Sequence, residues 1–117
     1  MDPQLAQAVF ERDLRTGFES SGSRLSFAAW KEANRHGACV APQLNPALSG
    51  TCSGRLTLDH VHRRGETAMR MKADDSLRTL QTACEGHHGT NRYGGGWLTS
   101  REARELARTR LELLYPA

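Results

Sequence analysis

Arg55-Leu56-Thr57-Leu58-Asp59-His60-Val61 alternates polar and apolar residues with a period of two. That alternation predicts a half-buried strand, with Asp59 and His60 near its end on opposite faces. Working outward, residues 63–75 are polar and without period, a connecting loop. A second short strand is predicted through Thr79-Leu80-Gln81-Thr82-Ala83, followed by a helix that begins around Cys84 and stops by Gly94-Gly95-Gly96. Upstream, residues 39–54 are rich in proline, glycine and serine and read as a loop whose order needs an anchor. Asp2 and Pro3 start a helix over about residues 3–18, with Leu5, Val9, Phe10, Leu14 and Phe18 at helical intervals. A second helix is expected from Leu25 to Asn34, ending near His36-Gly37. After Trp97, Ser100 is the N-cap of a last helix whose apolar face is Ala103, Leu106, Ala107, Leu111 and Leu114. Arg101, Arg104 and Arg108 share another face of it.

A chain of 117 residues is most simply one domain, 1–117, at a size where a structural metal adds much to a modest core. The formal charge of +3 comes mostly from arginine, since Lys31 and Lys72 are the only lysines, and the planar guanidinium suits phosphate oxygens. A basic balance supports a nucleic-acid motif without replacing one. No apolar run approaches the roughly 18 residues of a membrane span. Met1-Asp2-Pro3-Gln4 lacks the basic and apolar blocks of a signal peptide, so a cytoplasmic protein with no membrane partner is expected. An odd count of three cysteines argues against a disulfide framework and leaves metal ligation or buried free thiols.

The chemistry sits in two short segments, Leu58-Asp59-His60 and Cys84-Glu85-Gly86-His87-His88. Cys39, Cys52, Cys84 and His87 offer three thiolates and an imidazole, a set suited to tetrahedral zinc in a closed, structural site. Inert buried cysteines are the other reading. His87 and His88 lie at i+3 and i+4 from Cys84, so helix geometry lets either one face that metal. Asp59 as an oxygen ligand and His88 as a nitrogen ligand suit a second divalent cation with open positions. His60, beside that cation but not on it, suits a general base, since an imidazole with a pKa of about 6.5 accepts a proton from water at neutral pH; taken singly, Asp59 also reads as a surface acid, His60 as a solvated strand end and His88 as a helix-surface residue. His62 is a substitute base, a phosphate contact or a solvated histidine.

A strand ending in Asp59-His60, a loop, a second strand and a helix opening Cys84-x-x-His87-His88 resembles the HNH endonuclease family. The likeness runs roughly from Cys39 to Arg92. Cys39-Val40-Ala41-Pro42, Gly54-Arg55-Leu56-Thr57-Leu58-Asp59-His60-Val61 and Ala83-Cys84-Glu85-Gly86-His87 look especially like small HNH proteins of bacteriophages and their actinobacterial hosts. The resemblance implies an α+β fold: a ββα-metal core over about residues 39–92 with a structural zinc, flanked by N-terminal helices over 3–36 and a C-terminal helix over 100–114. It assigns Cys39, Cys52, Cys84 and His87 to zinc, Asp59 and His88 to the catalytic ion, and His60 to the base. Thr79 stands where the family's central asparagine usually ties down the loop carrying the base, and its single hydroxyl offers less than an amide. Asn91, three residues beyond His88, is either a third ligand of the catalytic ion or a solvated residue.

The implied activity is hydrolysis of a DNA phosphodiester with little sequence specificity. His60 activates water, and Mg²⁺ or Mn²⁺ is the expected ion, with Ni²⁺, Co²⁺ or Zn²⁺ also permitted by a histidine ligand. Arg63, Arg64 and Arg92 are candidate phosphate contacts, and Arg101, Arg104 and Arg108 would track the DNA backbone with salt-sensitive affinity. Phage relatives of this kind imply a terminase or packaging partner and the host cytoplasm as the location. A zinc-stabilised DNA-binding or packaging-accessory module with weak or lost cleavage is the other reading, and Thr79 is its main support.

Overall fold

Asp2 starts the first helix as its side chain should, Oδ1 accepting from Gln4 N at 2.9 Å with Pro3 in the first turn. The computed structural model describes residues 1–63, 75–89 and 96–116. Helix α1 (Pro3–Ser21) runs a turn beyond the expected residue 18 and ends at Gly22, whose φ of 67° is left-handed. Ser20 and Ser21, beyond the expected end, continue the helix, their hydroxyls bonding back to the carbonyls of Gly17 and Phe18. Ser26 caps α2 (Phe27–Ala33), so Leu25 stays outside it.

Residues 39–54 are more ordered than a loop. They hold α3 (Ala41–Leu44), with Pro42 in its first turn, and a 3-10 turn (Pro46–Leu48) capped by the Asn45 side chain. Prolines that read as breakers are here helix starters. Strand β1 (Leu56–His60) pairs antiparallel with β2 (Leu80–Cys84), with Leu56 opposite Cys84, Asp59 opposite Gln81 and His60 opposite Leu80. Helix α4 (Glu85–His88) follows β2 without a gap, takes Cys84 as its N-cap and ends at Gly89. The described helix is therefore shorter than the sequence suggested, and Asn91, Arg92 and Arg64 lie outside the described residues. A further 3-10 turn (Trp97–Thr99) leads to α5 (Arg101–Leu114), capped by Ser100 as predicted. Gly96 lets this return pass close over α4, because a Cβ there would strike the carbonyl oxygens of Gly86 and His87.

The architecture is mixed: helices around a small two-stranded antiparallel sheet. β1 shows the half-buried pattern its alternation predicted, Asp59 inside and His60 outside, whereas β2 is buried at every position. The reason is α1, which packs on β2. Buried Asp13 accepts from Thr82 N through Oδ2 at 2.7 Å, and from Arg12 Nε and Arg110 Nη2 through Oδ1, each at 2.8 Å. Cys39, Val40, Ala41, Ala83, Cys84, Leu98 and Ala103 form one apolar cluster. Leu14, Trp30 and Ala38 form a second, and Val61, Ala107 and Leu111 a third. On α5 the buried seam is Ala103, Ala107 and Leu111; Leu106 and Leu114 lie off it and are exposed, because that short strip alone faces the sheet and α3. Among the described residues no helix is long and apolar enough to cross a membrane.

Candidate metal centre and hydrolytic site

The first turn of α4 is where three distant segments meet. Cys39 arrives just before α3, Cys52 on the turn ahead of β1, Cys84 as the last residue of β2, and His87 from inside α4. Their four ligand atoms all lie within 4.8 Å of one another. His87 Nδ1 is 3.3 Å from Cys84 Sγ, 3.6 Å from Cys52 Sγ and 3.9 Å from Cys39 Sγ. Tetrahedral zinc bonds of about 2.3 Å to sulfur and about 2.0 Å to nitrogen would place sulfur and nitrogen about 3.5 Å apart. The donors therefore stand around a volume that fits one such ion. All three thiols are free. The neighbouring Cys52 thiol, helped against burial by the Cys84 N–H and His87, holds the Cys39 thiol below its ordinary value. The same contact, with burial, pushes the Cys52 thiol up. Three closely set thiols and an imidazole are a donor set that could hold a dication.

Thr51 determines which nitrogen of His87 is offered. Its hydroxyl donates to Leu48 O at 2.5 Å, and its oxygen lies 2.9 Å from His87 Nε2. With the hydroxyl proton already committed, the oxygen can only accept, so Nε2 carries the hydrogen and Nδ1 presents a lone pair to the sulfurs.

The neighbouring His88 is oriented by the same device with the nitrogens exchanged. Thr57 Oγ1 donates to Ala83 O at 2.9 Å and accepts from His88 Nδ1 at 2.7 Å. His88 Nε2 then faces Asp59 Oδ1 at 3.3 Å. In neutral His88 two lone pairs meet across that gap, an arrangement that calls for a cation or a second proton between them. Asp59 is buried; burial raises its carboxyl, but the His88 contact, the Arg104 charge and the Gln81 amide outweigh this and hold it below the ordinary value. Gln81 Nε2 donates to Asp59 Oδ2 at 2.7 Å, while Gln81 Oε1 is a buried acceptor without a partner among the described residues. Arg104 Nη1 reaches both carboxylate oxygens, at 3.2 and 2.9 Å, and its guanidinium also donates to Leu98 O and His60 O.

His60 lies on the solvent side of β1, its Nε2 2.8 Å from Asp75 Oδ1. That contact leaves Nδ1 to accept a proton. Thr79 is fully buried and folds the turn that carries Asp75, its Oγ1 accepting from Ser76 N at 3.0 Å, while its carbonyl accepts from Val61 N at 2.8 Å. Its described contacts thus hold the His60 neighbourhood through the backbone and through Asp75. Arg108 binds His62 O and Glu105, and Arg101 is exposed. The C-terminal arginines are accordingly not one free stripe: Arg104 and Arg108 are tied to the β1 end, and of the three Arg101 alone has no partner among the described residues. Sequence reasoning missed Thr51, Thr57, Asp75 and Gln81. Only Gln81 had a local signal, its place opposite Asp59 once the two strands are paired.

Comparison of the chain with family models, curated proteins and solved structures gives no match.

Proposed function

We propose that this chain is a metal-dependent DNA endonuclease of the HNH type, with β1, β2 and α4 as its ββα-metal unit. The observation that carries the reading is the convergence of Asp59 Oδ1 and His88 Nε2 at 3.3 Å, beside a solvent-facing His60 that Asp75 orients. Cys39, Cys52, Cys84 and His87 hold a structural zinc that fixes α4 to the loop before β1. Asp59 and His88 hold Mg²⁺ or Mn²⁺, or another ion that tolerates a nitrogen ligand. That ion supplies charge stabilisation at the phosphorane and the departing oxygen. His60 Nδ1 takes a proton from water as its oxygen attacks phosphorus in line; the phosphorus bond to the leaving oxygen breaks, and the leaving oxygen is protonated from solvent. Asp75 keeps the imidazole in the tautomer this requires. Arg63 and Arg101, both exposed, supply affinity for DNA independent of sequence.

A second reading has one specific observation behind it. Arg104 already neutralises Asp59, so the same fold can serve as a zinc-stabilised DNA-binding or phage packaging-accessory module that cleaves weakly. Plasmid nicking with added Mg²⁺ or Mn²⁺ separates the two. Nicking by the wild type that disappears in His60→Ala supports the nuclease. Inertness of both proteins, with DNA still bound, leaves the binding module.

A further inference from the structure

A cavity of about 300 Å³ opens where the chain leaves β1, apart from the cysteine cluster, the Asp59–His88 pair and His60. Its walls are of two kinds. Arg63, Arg78 and Arg108 bring three guanidinium groups, with Glu112 the one carboxylate and His62 on the rim. Val61, Leu111 and Tyr115 form an apolar side continuous with the third core cluster. Arg63 and Glu112 have partners of their own. Arg78 is exposed, and its guanidinium has no partner among the described residues. Arg108 is anchored through Nε to His62 O at 2.9 Å and through Nη1 to Glu105 at 2.6 Å, which leaves Nη2 uncommitted among the described residues.

A cleft with free cationic donors on one side and an aliphatic and aromatic wall on the other recognises an anion with a flat apolar body. We propose that it is a nucleotide subsite, seating one unstacked nucleotide of a DNA strand with its phosphate on Arg78 and Arg108 and its base against Tyr115, the part-exposed member of the apolar wall. The volume is at the small end of ligand sites, enough for a single nucleotide and far too small for a duplex. The subsite begins one residue past His60 and is rimmed by His62, roughly 7 Å of extended chain away. A strand held here would therefore lie beside the phosphodiester presented to His60. Its placement beside a scissile bond rests on the nuclease reading; its existence does not. The consequence is a preference for single-stranded or locally unpaired DNA over regular duplex, since seating a base requires it to leave its stack.

The test uses the zinc-loaded protein without added divalent ion, and anisotropy of a labelled single-stranded oligonucleotide and of the duplex made from it. The strand is expected to bind more tightly than the duplex. Arg78→Ala should weaken strand binding roughly tenfold and lower the salt slope by about 0.7, the share of one phosphate contact on a single strand. Arg24→Ala, which removes an equally exposed cation outside the cavity, should change affinity less than about twofold. Equal losses in the two variants, or duplex bound more tightly than strand, overturn the subsite. Should plasmid nicking fail in the wild type while the Arg78 effect holds, the subsite stands and the nuclease reading falls. Should nicking succeed while Arg78→Ala binds the strand as well as wild type, the subsite falls and the nuclease reading stands.

Discussion

Replacing Thr51 by valine keeps the side-chain shape and removes the one atom that can accept from His87 Nε2. The lost bond is 2.9 Å long and His87 is only 7% exposed, so little of the imidazole is open to water. Leaving a buried N–H unpaired costs about 1–3 kcal/mol. Loss of a hydrogen bond to a ligating imidazole typically weakens metal affinity by about 10–100-fold, or about 1.4–2.8 kcal/mol. The two ranges agree, and Thr51→Val is expected to lower zinc affinity by one to two orders of magnitude. The loop should survive, because Leu48 O still accepts from Thr51 N at 3.1 Å. Thr51→Ser, which keeps the hydroxyl, should bind zinc nearly as wild type does. Competition with a chromophoric chelator measures the affinity, and ¹⁵N correlation spectra of the His87 ring report which nitrogen carries the hydrogen. Wild-type affinity in Thr51→Val, with Nε2 still protonated, would refute the reasoning.

Three other perturbations follow from the same geometry. Asp13→Ala leaves Arg12, Arg110 and Thr82 N without their shared buried carboxylate and should destabilise the fold by about 3–5 kcal/mol in urea denaturation; a loss under about 1 kcal/mol would mean the network is not holding α1. Arg104→Gln removes the positive charge on Asp59 and should raise Mn²⁺ affinity about tenfold by calorimetry, about 1.4 kcal/mol; unchanged or weaker binding would show that Arg104 does not compete with the ion. Because the folded state holds the Asp59 carboxyl below its ordinary value of 3.8, its charged form stabilises the fold above that pH, and the contribution fades as pH falls through the folded pKa. The stability gap between wild type and Asp59→Asn should therefore shrink between about pH 6 and about pH 3, and a constant gap would contradict the sign.

The elements most readable in the sequence are those whose determinants are local. The alternation of residues 55–61 placed β1 and its two faces, and Ser100 placed the start of α5. The ordering of residues 41–48 was not readable as helix because the same prolines punctuate loops and open helical turns. The open edge of β2 is covered by Asp13 and Arg12, which reach it from α1, 69 and 68 residues away in sequence, and no periodicity encodes such pairings. His87 and His88 were interchangeable by spacing. What separates them is a pair of hydroxyls, Thr51 and Thr57, that are distant in the chain and carry no motif of their own. The arginines of α5 looked like one face for DNA because helical spacing says which residues align, not which of them find carboxylates and carbonyls in the folded chain.

The way α1 meets β2 also bears on how much of this chain can stand alone. A two-stranded sheet has two edges, each a template on which other chains can polymerise. Along β2 the outward groups are already taken: Leu80 O by Arg12 Nη2 at 2.6 Å, Thr82 N by Asp13 at 2.7 Å and Thr82 O by Val40 N at 3.0 Å. A fragment trimmed to the sheet and the cysteine–histidine cluster would bare this edge and invite aggregation. The smallest autonomous unit therefore includes Pro3–Ser21, which guards the sheet against its own kind.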